Sequence, residues 1–441
     1  MNEEAATRHP LNPSDYFTLV MDEEIRGEGM PGSLGGCAIE LNGAVDADAL
    51  QARVDELVRR FPIATACLMR EGRHFSWRET RHPAQYWYHH RCLETDDGPA
   101  FRENLLNTII NRCEPREHTA PIEFHLLSGP RTSLFLIRWI HPLCDARGAE
   151  LILKFFCCEE PSERERFDRP ETGALVFAYL RRWSWWQKIA MFIKAKRYID
   201  SLDRWKSIVA GDPQNHPQAL RYRVCRFDRE QSAAIARQAR KQVGMTGTSL
   251  YYIGCLMRAI EQAGAGGEGE AYCVPFAFNL RRQNALAPLF GNHVSVLFAQ
   301  AHRDVVADRG KLFQHLKMQS SQAIRRGIDY AFLPMMRAGS WLSLARYGEK
   351  LRRSPKGCER SSFWFSDVGR SDLAGLQLAG APIRGLFHLC QVTSPPGLAV
   401  LVCQYDGRLT LSYNYIVPVV NEAWVEVLER RMAAELLGEP L

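Results

Sequence analysis

The sequence predicts an α/β protein with mixed sheets and flanking helices, arranged in two domains. The chain has 441 residues, more than a single hydrophobic core usually organises. Strand patterns and helix patterns both occur in each half of the chain. The stretch AGDPQNHPQ at 210–218, rich in residues that interrupt regular structure, separates the halves. We therefore place the domains at 1–210 and 211–441.

The first half alternates strands and helices. In the first predicted helix, Leu50, Val54 and Leu57 share one face, and Pro62 ends the pattern. A charged, Pro-containing segment at 159–172 predicts a loop or linker. We place strands at 36–42, 73–79, 84–90, 122–127 and 133–140, and helices at 46–61, 99–113 and 148–158.

The second half contains the clearest hairpin of the sequence. Asp406-Gly407 supplies the positive φ angles of a tight turn, and apolar residues alternate along the strand that follows. A helix at 248–262 has Thr248 as its predicted N-cap and Gly264 as its stop. Further strands are placed at 220–228, 271–279 and 293–300, the hairpin at 397–416, and a last helix at 421–437.

Composition excludes several classes of protein. Hydrophobic residues make up 46% and the net charge is only +6, without a stacking motif, so we expect no nucleic-acid partner. The 13 cysteines form no CxxC and no zinc-spaced cluster, which predicts reduced thiols, a cytoplasmic protein and no metal site. The N-terminus has no apolar signal core, and no run of about 18 apolar residues could span a bilayer.

The stretch WIHPLCDARG at 139–148 is the candidate catalytic motif. His141 follows a buried strand pattern and precedes a helix pattern, so the sequence predicts a rigid strand–turn–helix corner. A neutral imidazole held there could remove a proton from an attacking hydroxyl, thiol or amine. Asp145 could orient the ring, or it could cap the helix and pair with a distant arginine. A core histidine satisfied by backbone is the alternative, although no other histidine of the chain has Asp at +4.

The order of the motifs along the chain resembles a known superfamily. It includes chloramphenicol acetyltransferase, the condensation domains of nonribosomal peptide synthesis, wax ester synthase/diacylglycerol acyltransferases and the plant BAHD acyltransferases, which share HHxxxDG or HxxxD. Residues 141–145 match the reduced form. The stretch IELNGAVDADALQARVDELVRRFP is similar to their opening, VPFAFNLRRQN with LFGNHVSVL to their VPVNLR and GN segments, and FWFSDVGR to a short Ser/Asn-x-x-Gly segment. The resemblance covers about residues 12–437.

The sequence also departs from the superfamily pattern. Ile140 replaces the first histidine, Ala146 replaces the glycine, and no DFGWG is present, so the chain does not resemble a plant-type member. The histidine that carries chemistry in the family is present as His141. The resemblance implies two similar lobes that meet in a V, with a tunnel between them and His141 at its middle. It also implies an acyltransferase in which His141 is the general base.

The resemblance implies roles for further residues. Asp145 would pair with Arg281, with Arg282 as the competing partner and a solvated surface arginine as the alternative. Gly148 is counted with the residues that support the site. Asn292 and Ser366 are candidate polar groups of the tunnel wall, and a purely structural role is the alternative for both. The sequence does not identify the donor to the oxyanion.

The resemblance also implies the substrates. An acyl-CoA would be the co-substrate, and no bound cofactor would be needed. A small molecule or a lipid would be the acceptor, and the reaction would belong to lipid or secondary metabolism. A phosphopantetheinyl carrier protein acting in trans is the second possible donor. A non-catalytic relative is the third hypothesis, because the substitutions at Ile140 and Ala146 are compatible with lost activity.

The segment RRWSWWQKIAMFIKAKRY at 181–198 combines six Lys/Arg with three Trp. This composition suits a helix in a lipid headgroup region and indicates peripheral contact with the inner membrane surface. The charges do not separate cleanly from the apolar residues on a helical wheel. A linker helix packed between lobes is therefore the alternative, and a basic rim that attracts coenzyme A phosphates is another.

Overall fold

Helices and strands are interspersed along the whole chain, as the sequence predicts. The computed structural model describes residues 7–72, 74–79, 88–93, 99–116, 119–167, 174–245, 247–264, 267–282, 284–355 and 359–439. The strands are β1 (Arg8–Pro10), β2 (Leu34–Asn42), β3 (Cys67–Glu71), β4 (His74–Arg78), β5 (Tyr88–Cys92), β6 (Ile122–Ser128), β7 (Thr132–Ile140), β8 (Ala219–Arg226), β9 (Ala271–Asn279), β10 (Val294–His302), β11 (Trp364–Arg370), β12 (Gln377–Leu378), β13 (Ala381–Cys390), β14 (Leu398–Tyr405) and β15 (Arg408–Val417).

The helices flank the sheets or connect their strands. They are α1 (Pro13–Gly27), α2 (Ala47–Arg60), α3 (Pro99–Ile110), α4 (Ala146–Cys157), α5 (Pro161–Glu165), α6 (Ala174–Arg182), α7 (Trp185–Leu202), α8 (Arg229–Val243), α9 (Thr248–Gln262), α10 (Arg303–Ala307), α11 (Arg309–Arg325), α12 (Ile328–Gly339), α13 (Leu344–Arg352) and α14 (Glu422–Leu437). No helix in the described part of the chain is long and apolar enough to cross a membrane.

Two six-stranded sheets organise the molecule. The first has the order β12-β13-β2-β7-β6-β5, and the second has the order β10-β9-β11-β14-β15-β8. A third, smaller sheet has three strands in the order β1-β4-β3. The predicted hairpin is confirmed as β14 and β15, with positive φ at Asp406 and Gly407.

The first sheet is covered on both faces, which explains the uninterrupted apolar run at residues 134–137 of its central strand β7. On β7, Phe135 and Ile137 belong to a core shared with α4, whereas Leu134 and Leu136 belong to a second core shared with α9 and α14. Successive side chains of β7 point to opposite faces of the sheet, so the strand contributes to two cores. Both cores include residues from the second half of the chain, such as Leu386 in the first and Leu411 in the second.

The sheets do not follow the halves of the chain completely. β13 comes from residues 381–390 but pairs antiparallel with β2, so the second half supplies two strands to the first sheet. The segment at 210–218 contains no helix or strand. The division into 1–210 and 211–441 stays a prediction.

Details of the structure differ from the sequence prediction, since α5 lies inside the segment 159–172 that was predicted as a loop or linker. The N-cap of α9 is Gly247, and Thr248, the predicted cap, is the first helical residue. A Cβ at Gly247 would come within 2.8 Å of the Val243 side chain, so this position leaves little room for a larger residue. The strand predicted at 84–90 begins outside the described residues, which show β5 from Tyr88 onward.

Candidate active site

His141 lies at the corner between β7 and α4, as predicted. Its backbone N–H donates to the carbonyl oxygen of Ser33 at 2.8 Å, and its own carbonyl accepts from Asn292 Nδ2 at 2.8 Å. The Leu143 N–H closes the turn onto the Ile140 carbonyl at 2.9 Å. The backbone that carries the imidazole is therefore held on both sides.

The His141 ring is half-buried and lines a cavity between the two halves of the chain. Its Nδ1 is buried and has no hydrogen-bond partner within the described residues. We infer that Nε2 is the nitrogen available to a substrate. Burial lowers the pKa of His141, more than its own backbone, Asp145 and Asn292 raise it. The ring is therefore neutral at neutral pH, as a general base must be.

Asp145 caps α4 and forms a buried ion pair. One carboxylate oxygen accepts the Gly148 N–H at 2.8 Å. The other accepts from Arg281 Nη1 at 2.6 Å and from the His293 N–H at 2.9 Å. Burial raises the pKa of Asp145, but the Arg281 guanidinium lowers it further, and the net pKa is below the usual range. Within the described residues Asp145 makes no hydrogen bond to His141, so it shapes the corner and does not orient the ring.

Arg281 is the partner of Asp145, as the resemblance implied. Its side chain is buried, and its Nε donates to the Pro288 carbonyl at 3.2 Å. Arg282, the competing assignment, is exposed. A solvated surface role for Arg281 is therefore wrong.

Gly148 lies where the second half of the chain meets the motif. A Cβ at this position would overlap the carbonyl oxygen of Leu289. Nearby, the Gly291 N–H donates to the Leu143 carbonyl at 2.6 Å, and Cys144 and Gly291 form an isolated parallel bridge. Only glycine permits this close backbone approach. The segment 289–293 thus fixes the corner from the other half of the molecule.

Asn292 lies behind His141 instead of in the cavity wall. It is fully buried and is absent from the cavity lining, because its side chain spans the space between the His141 carbonyl and Asp15. Its placement as a tunnel-wall group is corrected accordingly. Asp15 Oδ1 accepts from the Asn292 N–H at 2.6 Å and from Nδ2 at 3.0 Å. Burial raises the pKa of Asp15 to about 7, against the donors that surround it.

Asp15 was missed by sequence reasoning. The stretch NPSD at 12–15 is a capping box for α1, with the Asn12 side chain accepting from Asp15 N–H and Asp15 accepting from Asn12 N–H. A capping-box pattern of this kind indicates only the start of a helix. It carried no information about Asn292, which is 277 positions away.

The cavity has a volume of about 260 Å³ and is mainly apolar. Its wall comes from α1, β2 and the His141 corner on one side, and from β9, β10, β11, β13 and β14 on the other. Ser366 lines it, as predicted, and so does Ser33. Its large apolar side chains are Phe17, Met21, Ile25, Trp139, Phe276, Met336, Trp364, Phe365, Leu389 and Leu401. Such a wall suits an apolar substrate.

A second histidine of the cavity wall was also missed. His388 on β13 lies 3.3 Å from Glu150 through its Nε2, and its Nδ1 is buried without a partner among the described residues. Glu150 also accepts from Arg147 at 2.7 Å. Because β13 joins the first sheet from the other end of the chain, no local pattern could have indicated this pair.

The structure also brings together a set of groups that could hold a metal ion, although the sequence predicted none. The ligand atoms of His89, Glu123 and His125 lie within 4.8 Å of one another. The Glu123 carboxylate, however, is engaged by Arg138 at 3.1 Å, by His125 at 3.0 Å and by Arg112. Burial raises the pKa of Glu123, but these partners bring it to about 2. The arrangement is an ion-pair cluster, since two guanidinium groups oppose a bound cation.

Comparison with known sequences identifies no relative. No protein-family model matches the chain, and no curated protein matches it significantly.

Comparison with solved structures gives matches along the whole chain. A trichothecene 15-O-acetyltransferase from Fusarium sporotrichioides has a TM-score of 0.70 at 11% identity, covering 100% of this chain and 97% of that one. The first condensation domain of the CDA synthetase has a TM-score of 0.73 at 12% identity, covering 98% and 96%. Polyketide synthase associated protein 5 from Mycobacterium tuberculosis has a TM-score of 0.65 at 12% identity, covering 98% of each chain. The chain therefore has the two-lobed α/β fold of condensation domains and related acetyltransferases.

Proposed function

We propose that the protein is an acyltransferase that moves an acyl group from a thioester to a hydroxyl or amine. The observation that carries this proposal is the position of His141. Its uncharged imidazole lines an apolar cavity at a rigid corner, and both halves of the chain hold that corner. The fold agrees, since an acetyltransferase and condensation domains share it.

The proposed chemistry needs one base and two substrates. Nε2 of His141 accepts the proton of the acceptor as its oxygen or nitrogen attacks the thioester carbonyl. The tetrahedral intermediate then collapses, the carbon–sulfur bond breaks, and the protonated His141 returns its proton to the departing thiolate. Holding both substrates in one cavity contributes to the rate through orientation. Exclusion of water protects the thioester from hydrolysis.

Ser366 is the candidate for holding a polar group of the reacting substrates. It lines the same cavity as His141 and comes from β11 on the opposite half of the chain. A hydroxyl can donate to an oxyanion or accept from an acceptor group. Asp145, Arg281 and Gly148 are positioning residues in this proposal, because they act through the corner that carries His141.

The donor is an acyl-CoA in the leading form of the proposal. A carrier-bound acyl group is the second candidate, and the condensation domains among the structural neighbours favour it. The apolar wall indicates an acyl chain or an acceptor with an apolar body. Both forms place the same thioester carbonyl beside His141.

Release of free thiol tests the proposal. The protein is mixed with a panel of acyl-CoAs and, separately, with acylated carrier proteins, each with candidate alcohols and amines. We expect thiol release that depends on the acceptor, together with an ester or amide product of matching mass. Reactions without acceptor are the control for hydrolysis. If no donor is consumed with any acceptor class, the chain is a non-catalytic relative and the proposal fails.

A further inference from the structure

The outer face of α7 presents large apolar side chains to solvent. Trp185 and Trp186 are 64% and 76% exposed, and Ile193, two turns further on, is 44% exposed. The opposite face anchors the helix: Ala195 and Leu202 are buried, and the Tyr198 hydroxyl donates to the Phe298 carbonyl at 3.0 Å. The helix is thus fixed in the fold, and the two tryptophans are held outward.

A second element extends this face. Lys194 Nζ on α7 donates to the carbonyl of Arg326 at 2.8 Å, which places the end of α11 beside the middle of α7. Ile324 and Arg325 at that end are exposed. We call this surface the α7 face, and it consists of Trp185, Trp186, Ile193, Lys194, Arg197, Ile324, Arg325 and Arg326.

The α7 face is positively charged without local compensation. The chain has no acidic residue between Glu171 and Asp200, and none between Asp308 and Asp329. Among the described residues, Lys194, Arg197, Arg325 and Arg326 form no salt bridge with a carboxylate, whereas Lys196 pairs with Asp200 at 2.8 Å. The positive charge is therefore available to an anionic partner.

We propose that the α7 face binds an anionic membrane surface as a peripheral contact. Tryptophan side chains favour the boundary between headgroups and acyl chains, and Lys and Arg are attracted to anionic headgroups. The exposed aliphatic side chains of Ile193 and Ile324 favour a lipid partner over a nucleic acid. The phosphate backbone of a nucleic acid offers them no apolar contact. This inference goes beyond the proposed chemistry, which needs no membrane.

The helix that precedes α7 belongs to a core cluster beside the candidate active site. α6, immediately before α7, packs through Val176 and Leu180 on Leu280, the residue that precedes Arg281.

Sedimentation with vesicles tests the inference on the full chain. We expect the protein to sediment with phosphatidylcholine vesicles that contain phosphatidylserine, to bind pure phosphatidylcholine weakly, and to dissociate as salt is raised. Because each cation near the surface contributes to binding, Lys194→Glu with Arg197→Glu should weaken it by about 30-fold or more. Trp185→Ala with Trp186→Ala should weaken binding to both vesicle types.

The matched control is Arg240→Glu with Lys241→Glu, two exposed cations on α8. This variant has the same net charge as the α7 pair and should bind like the wild type. Equal loss in the control, wild-type binding by the double tryptophan variant, or no dependence on phosphatidylserine would overturn the inference. Binding to RNA or to an acidic carrier protein, with none to vesicles, would do the same. Thiol release is measured separately without lipid, so failure of the acyl-transfer proposal is distinguishable.

Discussion

At the scale of single residues, the candidate site depends on one imidazole and on the groups that hold its backbone. Ser33 and Asn292 bind the two backbone groups of His141, and Asp145 with Arg281 shapes the turn that follows. These groups act on the backbone of His141 and on the turn, and their role does not require contact with the imidazole ring. The site is therefore a rigid support for a base rather than a relay of protons.

The pH dependence of activity follows from the environment of His141. Burial lowers its pKa from the ordinary value of 6.5, so the neutral base persists below that pH. We expect kcat/KM to stay level through neutral pH and to fall only as pH drops through the lowered pKa. A pH–rate profile of the wild type checks this. An acidic limb at or above pH 6.5 would contradict a buried neutral base.

Asp145→Asn should destabilise the fold because it leaves Arg281 buried without a counter-charge. The expected cost is about 3–5 kcal/mol in the free energy of unfolding, measured by denaturant titration. The folded pKa of Asp145 is below its unfolded value of 3.8, so the stabilisation is present above that pH and is lost as pH falls through the lower folded pKa. The control is Asp372→Asn, which removes a half-exposed pair with Lys154 and should cost about 0–1 kcal/mol. Equal costs for the two variants would show that the buried pair is dispensable.

The sequence identified the residues of the motif, but it did not identify the residues that hold the motif in place. His141, Asp145 and Gly148 are adjacent in the chain, and resemblance supplied Arg281. Asp15 and Ser33 act through contacts with residues far away in the sequence, and periodicity does not encode such contacts. Asn292 was identified as a polar group near the site, but its direction depends on Asp15, which the sequence did not connect to it.

At the scale of elements, α4 and the segment 289–293 form the joint that holds the corner. Gly148 permits it, because the Leu289 carbonyl occupies the space of a side chain. The Gly291 N–H and the His293 N–H bind the motif from the same segment. Displacing this segment would move Asn292 together with the Gly291 and His293 N–H groups.

Gly148→Ala should therefore displace the segment 289–293 from α4 and lower both the activity and the stability of the protein. Overpacking costs about 1–3 kcal/mol, measured as a change in unfolding free energy. Gly310→Ala is the matched control, because it is an exposed glycine in α11 with no close neighbour except Asp308 Oδ1 at 3.5 Å. That change should be neutral or stabilising by about 0.4–1 kcal/mol. The same loss at both positions would rule out a specific role for the joint.

Local patterns predicted many of the strands and helices, but they gave no prediction for α1, α11, α12 or α13 and did not indicate how the strands pair. The turn residues Asp406-Gly407 fix both strands of the β14–β15 hairpin, so a short stretch was enough. β13 is as apolar as its neighbours, and nothing in its own residues shows that it pairs with β2 rather than with strands of the second sheet. Its partner is determined by packing over the whole molecule.

At the scale of the whole molecule, the two halves of the chain share a sheet and enclose the cavity between them. β2 is paired on one side by β7 and on the other by β13, which comes from residues 381–390. Removing the second half would expose a central strand edge. The cavity and the fold thus depend on the same interface.

A fragment of residues 1–210 should consequently fail to form a stable monomer. We expect aggregation or an unfolded spectrum by circular dichroism and size-exclusion chromatography, because β2 loses its neighbour and an apolar face is uncovered. Mixing the fragment with residues 211–441 should restore soluble folded material if the crossing strands are the cause. A well-folded, monomeric 1–210 fragment would show that the halves are independent domains.

The central claim is that an uncharged His141 in the cavity removes the acceptor's proton during acyl transfer. The most direct test compares acceptor-dependent thiol release by the wild type and by His141→Ala, with circular dichroism to establish that both are folded. We predict a rate lower by about 10²- to 10⁴-fold in the variant, with thioester and acceptor left unreacted. A folded His141→Ala protein that releases thiol at the wild-type rate would contradict the claim.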